Sequence, residues 1–82
     1  MTEYRVLLFA QIREEAGQES LPIALPTNAT VSDLRKALME RLPKSASLIC
    51  QSMIAVDEAY ASDNVCLKEK SRIACIPPVS GG

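Results

Sequence analysis

The last six residues of this 82-residue sequence have the types and the order most suited to chemistry. They are Pro77, Pro78, Val79, Ser80, Gly81 and Gly82. Glycine has no Cβ, so the final pair can enter a channel too narrow for other residues and leaves the terminal carboxylate of Gly82 unobstructed. The two prolines favour an extended backbone, which predicts a stiff tail reaching about 20 Å from the body of the protein. This pattern indicates a carboxylate that is delivered into another protein's active site.

A frayed end without function is the alternative, because chain termini are often poorly ordered. Two features favour a functional tail. One is the Pro-Pro stem, and the other is the strand-like run at residues 72–76 that leads directly into it.

Composition and charge narrow the classes of function. Apolar residues make up 48% of the sequence and charged residues 23%, with a net charge of −1, which is typical of one small globular domain without room for a bound cofactor. The sequence has no histidine, which excludes His-activated nucleophiles and His ligands, and we predict no metal site. Without a basic cluster or aromatic stacking positions, nucleic acid is not an expected partner. No apolar run approaches a membrane span, so no membrane association is expected and the predicted location is the cytosol.

Cys50, Cys66 and Cys75 are odd in number and widely spaced, which fits neither a disulfide framework nor a zinc site. Their apolar neighbours predict buried, reduced thiols. A sulfur-relay role for one of the three is the alternative.

The tail needs a folded body behind it, and the first half of the sequence predicts two strands. Two-residue alternation indicates a strand at 4–10, with Phe9 on its outer side, and a strand at 21–25 whose flanking prolines suit a sheet edge. The polar segment at 11–20 is predicted as a loop, with room for one helical turn at 12–16.

A helix should follow these strands. Thr30 and Asp33 form a capping-box pattern that starts the helix at Val31, and Pro43 ends it. The charged residues predicted for its solvent side are Arg35, Lys36, Glu40 and Arg41.

The second half predicts a turn at 45–51, strands at 53–56, 65–67 and 72–76, and turns at 57–58 and 68–71. In the last strand, Ile73 and Cys75 are predicted to face the core, whereas Ala74 and Ile76 face outward. A main helix across a mixed sheet of four to five strands, with the last strand beside the first, is the α+β arrangement of ubiquitin, the β-grasp fold. We predict such a domain at 1–76 and an extended tail at 77–82.

Several stretches resemble the small subunit of molybdopterin synthase, and together they span nearly the whole chain. They are residues 6–11 (VLLFAQ), Thr30, Val31, Leu34, residues 55–60 (AVDEAY) and residues 73–82 (IACIPPVSGG). The ending PPVSGG is far more diagnostic than a bare Gly-Gly, which ubiquitin and several sulfur carriers share. The chain departs from many relatives at residues 69–71, where they carry Gly-Asp, which affects the turn and not the expected function.

The resemblance implies a chemical role for the tail. An ATP-dependent enzyme similar to ubiquitin-activating enzymes would adenylate Gly82, and sulfur would then displace AMP to leave a thiocarboxylate. The tail would enter the large synthase subunit and donate this sulfur to cyclic pyranopterin monophosphate, within an assembly of two large and two small subunits. The chain would thus be a sulfur donor and not a catalyst alone.

The resemblance also implies a docking patch, because Phe9, Tyr60 and Ile76 match positions that contact the large subunit in that family. Incidental exposure of each side chain is the alternative. Three other functions stay open: a thiamin-type sulfur carrier of the same fold, a ubiquitin-like modifier that forms isopeptide bonds, and a β-grasp interaction module without chemistry.

Overall fold

A computed structural model describes residues 1–78, which form one mixed sheet with helices packed on one face. The elements are β1 (Thr2–Leu8), α1 (Ala10–Ala16), β2 (Ser20–Leu25), α2 (Val31–Arg41), α3 (Ala46–Gln51), β3 (Met53–Val56), β4 (Ala59–Ala61) and β5 (Ile73–Ile76). A 3₁₀ turn at Pro43–Ser45 precedes α3. No helix in this described part has the length and apolar content needed to cross a membrane.

The sheet has the order β2-β1-β5-β3-β4, which places the last strand at its centre. β1 and β5 are parallel, and the other neighbours are antiparallel. Parallel neighbours require a long crossover connection, and α2 lies in the segment that supplies it. Leu34 and Leu38 of α2 are fully buried together with Val6, Ile73 and the other inner side chains of the strands. This topology confirms the predicted β-grasp fold.

The main helix begins as predicted, because Thr30 and Asp33 close a reciprocal capping box. The Asp33 N–H donates to Thr30 Oγ1 at 3.3 Å, and the Thr30 N–H donates to Asp33 Oδ2 at 2.9 Å. The backbone N–H of Thr30, followed by its hydroxyl, favours the ionised carboxylate and lowers the pKa of Asp33. The helix ends at Arg41, one residue before its cap Leu42 and two before Pro43.

The structure corrects the predicted first strand and the loop after it. β1 ends at Leu8 instead of residue 10, because Phe9 is the N-cap of α1 and Ala10 turns the chain with a φ of 51°. The predicted loop contains α1, which ends at Gly17 in the left-handed conformation. A seven-residue helix is too short to be stable alone, and burial of Ile12 in the core stabilises it.

Two elements of the second half were also predicted wrongly. The turn expected at 45–51 is largely the helix α3, which buries Ile49. The strand expected at 65–67 makes a single bridge, between Cys66 and Thr30. Two backbone hydrogen bonds form this bridge, from the Val31 N–H to the Val65 carbonyl at 2.9 Å and from the Leu67 N–H to the Ala29 carbonyl at 2.8 Å, so the segment pairs with the residues that precede α2 and not with a strand of the sheet.

The edge strand β4 was not predicted. It has only three residues, Ala59–Ala61, which is too short for a recognisable alternation. The predicted edge position of β2 and the predicted place of the last strand, β5, beside β1 are confirmed. β5 ends at Ile76, where the predicted domain ends, and the division into 1–76 and 77–82 stays a prediction.

Arg35 does not face solvent as predicted, since its side chain is only 15% exposed. Its guanidinium donates hydrogen bonds to the backbone carbonyls of Ile49 at 2.8 Å and Ser52 at 2.6 Å, and it pairs with Asp63 at 3.1 Å. Arg35 therefore donates to carbonyl groups at the C-terminal end of α3, of which the Ile49 carbonyl also accepts the N–H of Ser52 at 3.0 Å. The partners lie 14 to 28 residues away in the sequence, so helical periodicity alone does not reveal this role.

Candidate functional site

The outer face of the sheet, turned away from the helices, carries a row of apolar side chains across four strands. Strand pairing aligns Leu7 of β1 with Ala74 of β5. It also aligns Ala74 with Ala55 of β3, and Ala55 with Tyr60 of β4. Because strand neighbours lie about 5 Å apart, these side chains form a continuous apolar row.

A second apolar row lies two residues nearer the tail. Pairing sets Ile76 beside Met53, and the β1–β5 register continued by one residue sets Phe9 on the other side of Ile76. The two rows form the outer patch, which consists of Leu7, Phe9, Met53, Ala55, Tyr60, Ala74 and Ile76. Its four largest exposed members, Leu7, Phe9, Met53 and Tyr60, are 43–67% exposed. A contiguous patch of this kind on a small domain is typical of a binding surface.

The three predicted interface residues thus lie on one face, although their contact with a partner stays a prediction. Tyr60 and Ile76 line the same shallow cavity of about 410 Å³, together with Leu7 and Ala74. Leu7 was left out of the predicted patch, yet its position two residues before Phe9 on the same strand face was a usable signal. Met53 was also left out of the predicted patch, although the strand predicted at 53–56 begins with it and it alternates with the buried Ile54.

The tail leaves the body at the border of the outer patch. Ile76 is the last residue of β5, Pro77 is half-buried and Pro78 is exposed. Proline has no N–H to donate, so it cannot continue the ladder beside β3. The predicted site residues Val79, Ser80, Gly81 and Gly82 lie outside the described residues.

Cys75 is buried on the inner face of β5, as predicted. Burial raises the pKa of its thiol, and the hydroxyl of Ser52 and the charge of Arg35 oppose this rise only in part. The thiolate of Cys75 is therefore disfavoured at neutral pH, which argues for a structural thiol.

Cys50 and Cys66 are exposed, so their predicted burial was wrong. In each case the adjacent apolar residue occupies the core instead: Ile49 beside Cys50 and Leu67 beside Cys66. An apolar neighbour in sequence does not imply burial, because adjacent side chains point in different directions in both helices and strands.

We expect two of the three thiols to react rapidly with a disulfide reagent in the native protein. Cys50 and Cys66 should react at about pH 8, whereas Cys75 should react only after denaturation, because it lacks both access and thiolate character. The number of reactive thiols is measured spectrophotometrically from the released reagent, once in the native protein and once in denaturant. As controls, Cys50→Ser should lower the rapid count by one and Cys75→Ser should leave it unchanged. Rapid reaction of all three thiols would contradict the buried position of Cys75.

Comparison with known proteins assigns the chain to a family. The model of the ThiS family matches residues 6–82. The molybdopterin synthase sulfur carrier subunit of Dictyostelium discoideum is 35% identical over 83 residues, which covers 98% of this chain and 96% of that protein. The chain belongs to the family of molybdopterin synthase sulfur carrier subunits. In this member of the family, the root of the tail and the outer patch lie together on one side of the sheet.

Solved structures agree with the fold of a sulfur carrier subunit. A putative molybdopterin converting factor, subunit 1, from Pyrococcus furiosus matches with a TM-score of 0.84 and 29% identity, covering 96% of this chain and 100% of that one. A second match is a chain in the complex of subunits 1 and 2 of molybdopterin-converting factor from Helicobacter pylori. It has a TM-score of 0.68 and 22% identity, and covers 99% of this chain and 100% of that one. At that identity the second match bears on the fold alone.

Proposed function

We propose that this chain is a sulfur carrier in molybdenum cofactor biosynthesis, which donates sulfur from Gly82 to cyclic pyranopterin monophosphate. The main support from the structure is the position of the tail root. The central strand β5 leads directly into Pro77 at the border of an exposed apolar patch, so docking of the patch also positions the tail. Family membership supports the chemistry.

The carboxylate of Gly82 must be activated before it can accept sulfur. It is ionised at pH 7 and is a poor electrophile, because oxide is a poor leaving group. An ATP-dependent adenylating enzyme solves this problem by making AMP the leaving group. A sulfur nucleophile then attacks the carbonyl carbon, the bond between that carbon and the AMP oxygen breaks, and a thiocarboxylate remains. Gly81 provides clearance beside the reacting group, and residues 77–80 provide reach.

The large synthase subunit supplies the catalytic groups in this proposal. The chain has no histidine, and in this proposal it acts as the sulfur donor and not as a catalyst alone. The outer patch docks the large subunit, and the dithiolene product needs two sulfurs, which fits two carriers on a dimer of large subunits. We propose that this assembly works in the cytosol.

Intact-mass spectrometry of the protein purified from its host tests the proposal. We expect a fraction whose mass is higher by the difference between one sulfur and one oxygen atom, localised to the C-terminal peptide. Incubation with the large subunit and the pterin substrate should return this mass to that of the carboxylate while molybdopterin forms.

The form of the mass change separates the alternatives. A persulfide on Cys50 or Cys66 adds a whole sulfur atom and maps to a different peptide. Lysine-linked adducts of other proteins would indicate a modifier. An unmodified C-terminus in cells that produce the cofactor would contradict the sulfur-carrier function.

A further inference from the structure

A third row of side chains, formed by Arg5 and Arg72, borders the outer patch on the side opposite the tail. Arg5 lies two residues before Leu7 on the same strand face, and the β1–β5 register continued by one residue sets Arg72 beside it. Both arginines and Leu7 line a cavity of about 280 Å³. Arg72 also lines the larger cavity of about 410 Å³ with Tyr60, so it lies directly beside residues of the outer patch.

Neither guanidinium is neutralised by the described part of the chain. Arg5 donates a 3.1 Å hydrogen bond to Oγ of Ser20, which is an uncharged acceptor. The ion pairs within residues 1–78 involve Arg13 and Arg35 instead. Two like charges on adjacent strands disfavour the isolated fold, so Arg5 and Arg72 are not explained by stability.

The nearby carboxylates do not change this conclusion. Asp57 uses Oδ1 to accept the backbone N–H of Arg72 at 2.9 Å. Glu58 lines the same cavity as Arg72 without forming an ion pair with it, and Glu3 follows the same strand face away from the patch. A partner that covers this area therefore meets two available guanidinium groups.

Covering these groups with an apolar surface is unfavourable. An arginine keeps its charge at any physiological pH and has five N–H donors, which lose their water when a partner docks. Leaving such donors unpaired under an interface costs affinity. Carboxylates satisfy them best, because the planar guanidinium can bind a carboxylate through two parallel hydrogen bonds.

We propose that the large subunit places acidic side chains between Arg5 and Arg72, and that this contact steers its association with the outer patch. The proposal rests on the docking of the large subunit proposed above, and adds the chemistry of the surface that docks. The apolar rows provide affinity, whereas the arginine row provides register and rate of encounter.

Association kinetics of the full-length chain with the large subunit of the same organism test this inference. The test variant is Arg5→Glu with Arg72→Glu. The matched control is Arg41→Glu with Lys44→Glu, which makes the same change of charge at exposed residues on the helix side. At low salt we expect the association rate constant of the test variant to fall at least ~10-fold, and that of the control to change less than ~2-fold. The difference should shrink at about 0.5 M salt, where charges are strongly screened.

A second, neutral variant separates the effect of charge on the association rate from any effect of the substitutions on folding. Arg5→Gln with Arg72→Gln should show an intermediate loss of rate, and circular dichroism should show all variants folded, because both arginines are exposed. Equal rates and equal salt dependence for the test and control variants would overturn the inference. If the large subunit does not dock on the outer patch at all, the Phe9→Asp variant should bind it normally. That result is distinct from the one that would overturn the role of the arginines.

Discussion

Adding one alanine after Gly82 is expected to abolish molybdopterin synthesis in a reaction that contains the large subunit, the activating enzyme, ATP and a sulfur source. The carbonyl of Gly82 then lies in an amide, which has no carboxylate oxygen to be adenylated. The new carboxylate lies about 3.5 Å farther along the tail and beside a Cβ, which a channel shaped for glycine excludes. The measurement is the amount of molybdopterin formed by the extended chain, compared with the amount formed by the chain that ends at Gly82.

The matched control adds the same alanine before Met1, where the chain is exposed and far in sequence from the tail. This variant should retain full synthesis. Both variants should have the same thermal stability, because neither touches the core. Synthesis by the C-terminally extended chain at the control rate would rule out Gly82 as the sulfur-bearing residue.

Phe9→Asp is expected to weaken binding of the large subunit at least about 30-fold in Kd, equivalent to about 2 kcal/mol. Phe9 is an exposed aromatic side chain in the second row of the outer patch, and a carboxylate there would be desolvated when the partner docks. The fold should survive the change. Phe9 is the N-cap of α1 and makes no side-chain capping hydrogen bond, whereas aspartate is a preferred N-cap residue. Calorimetric titration with the large subunit measures the loss.

Ser47→Asp is the control for this experiment. Ser47 is exposed on α3, which packs on the face of the sheet opposite the outer patch, so the variant adds the same carboxylate away from the proposed docking surface. Its variant should bind within about 2-fold of the unmodified chain, as exposed positions outside a hot spot do. Equal binding by both variants would show that the outer patch is not the docking surface.

Local signals predicted the parts of this protein that depend on neighbouring residues. The capping box at Thr30 and Asp33 is complete within four residues, and it started α2 at the expected position. The alternation in β5 predicted that Ile73 and Cys75 face the core and that Ala74 and Ile76 face outward. In the structure the first two are buried and the other two are half-buried on the opposite face. Each of these features is set by backbone geometry over a few residues.

Other features depend on partners that are distant in the sequence. Arg35 is largely buried because carbonyl groups of α3 lie beside it, and α1 is helical because Ile12 reaches the core. Cys50 and Cys66 are exposed because their neighbours occupy the interior. No window of a few residues contains this information.

The amino-acid sequence was sufficient to indicate the reactive end of the molecule, because a Pro-Pro stem and two glycines act through their own backbone restrictions. It was also sufficient for the β-grasp fold, because the order and periodicity of the elements allow few arrangements. The surface that accompanies the tail required the tertiary structure. Pairing of β5 between β1 and β3 assembles the outer patch and its arginine row, and the directly paired residues of β1 and β5 lie 67 positions apart in the sequence.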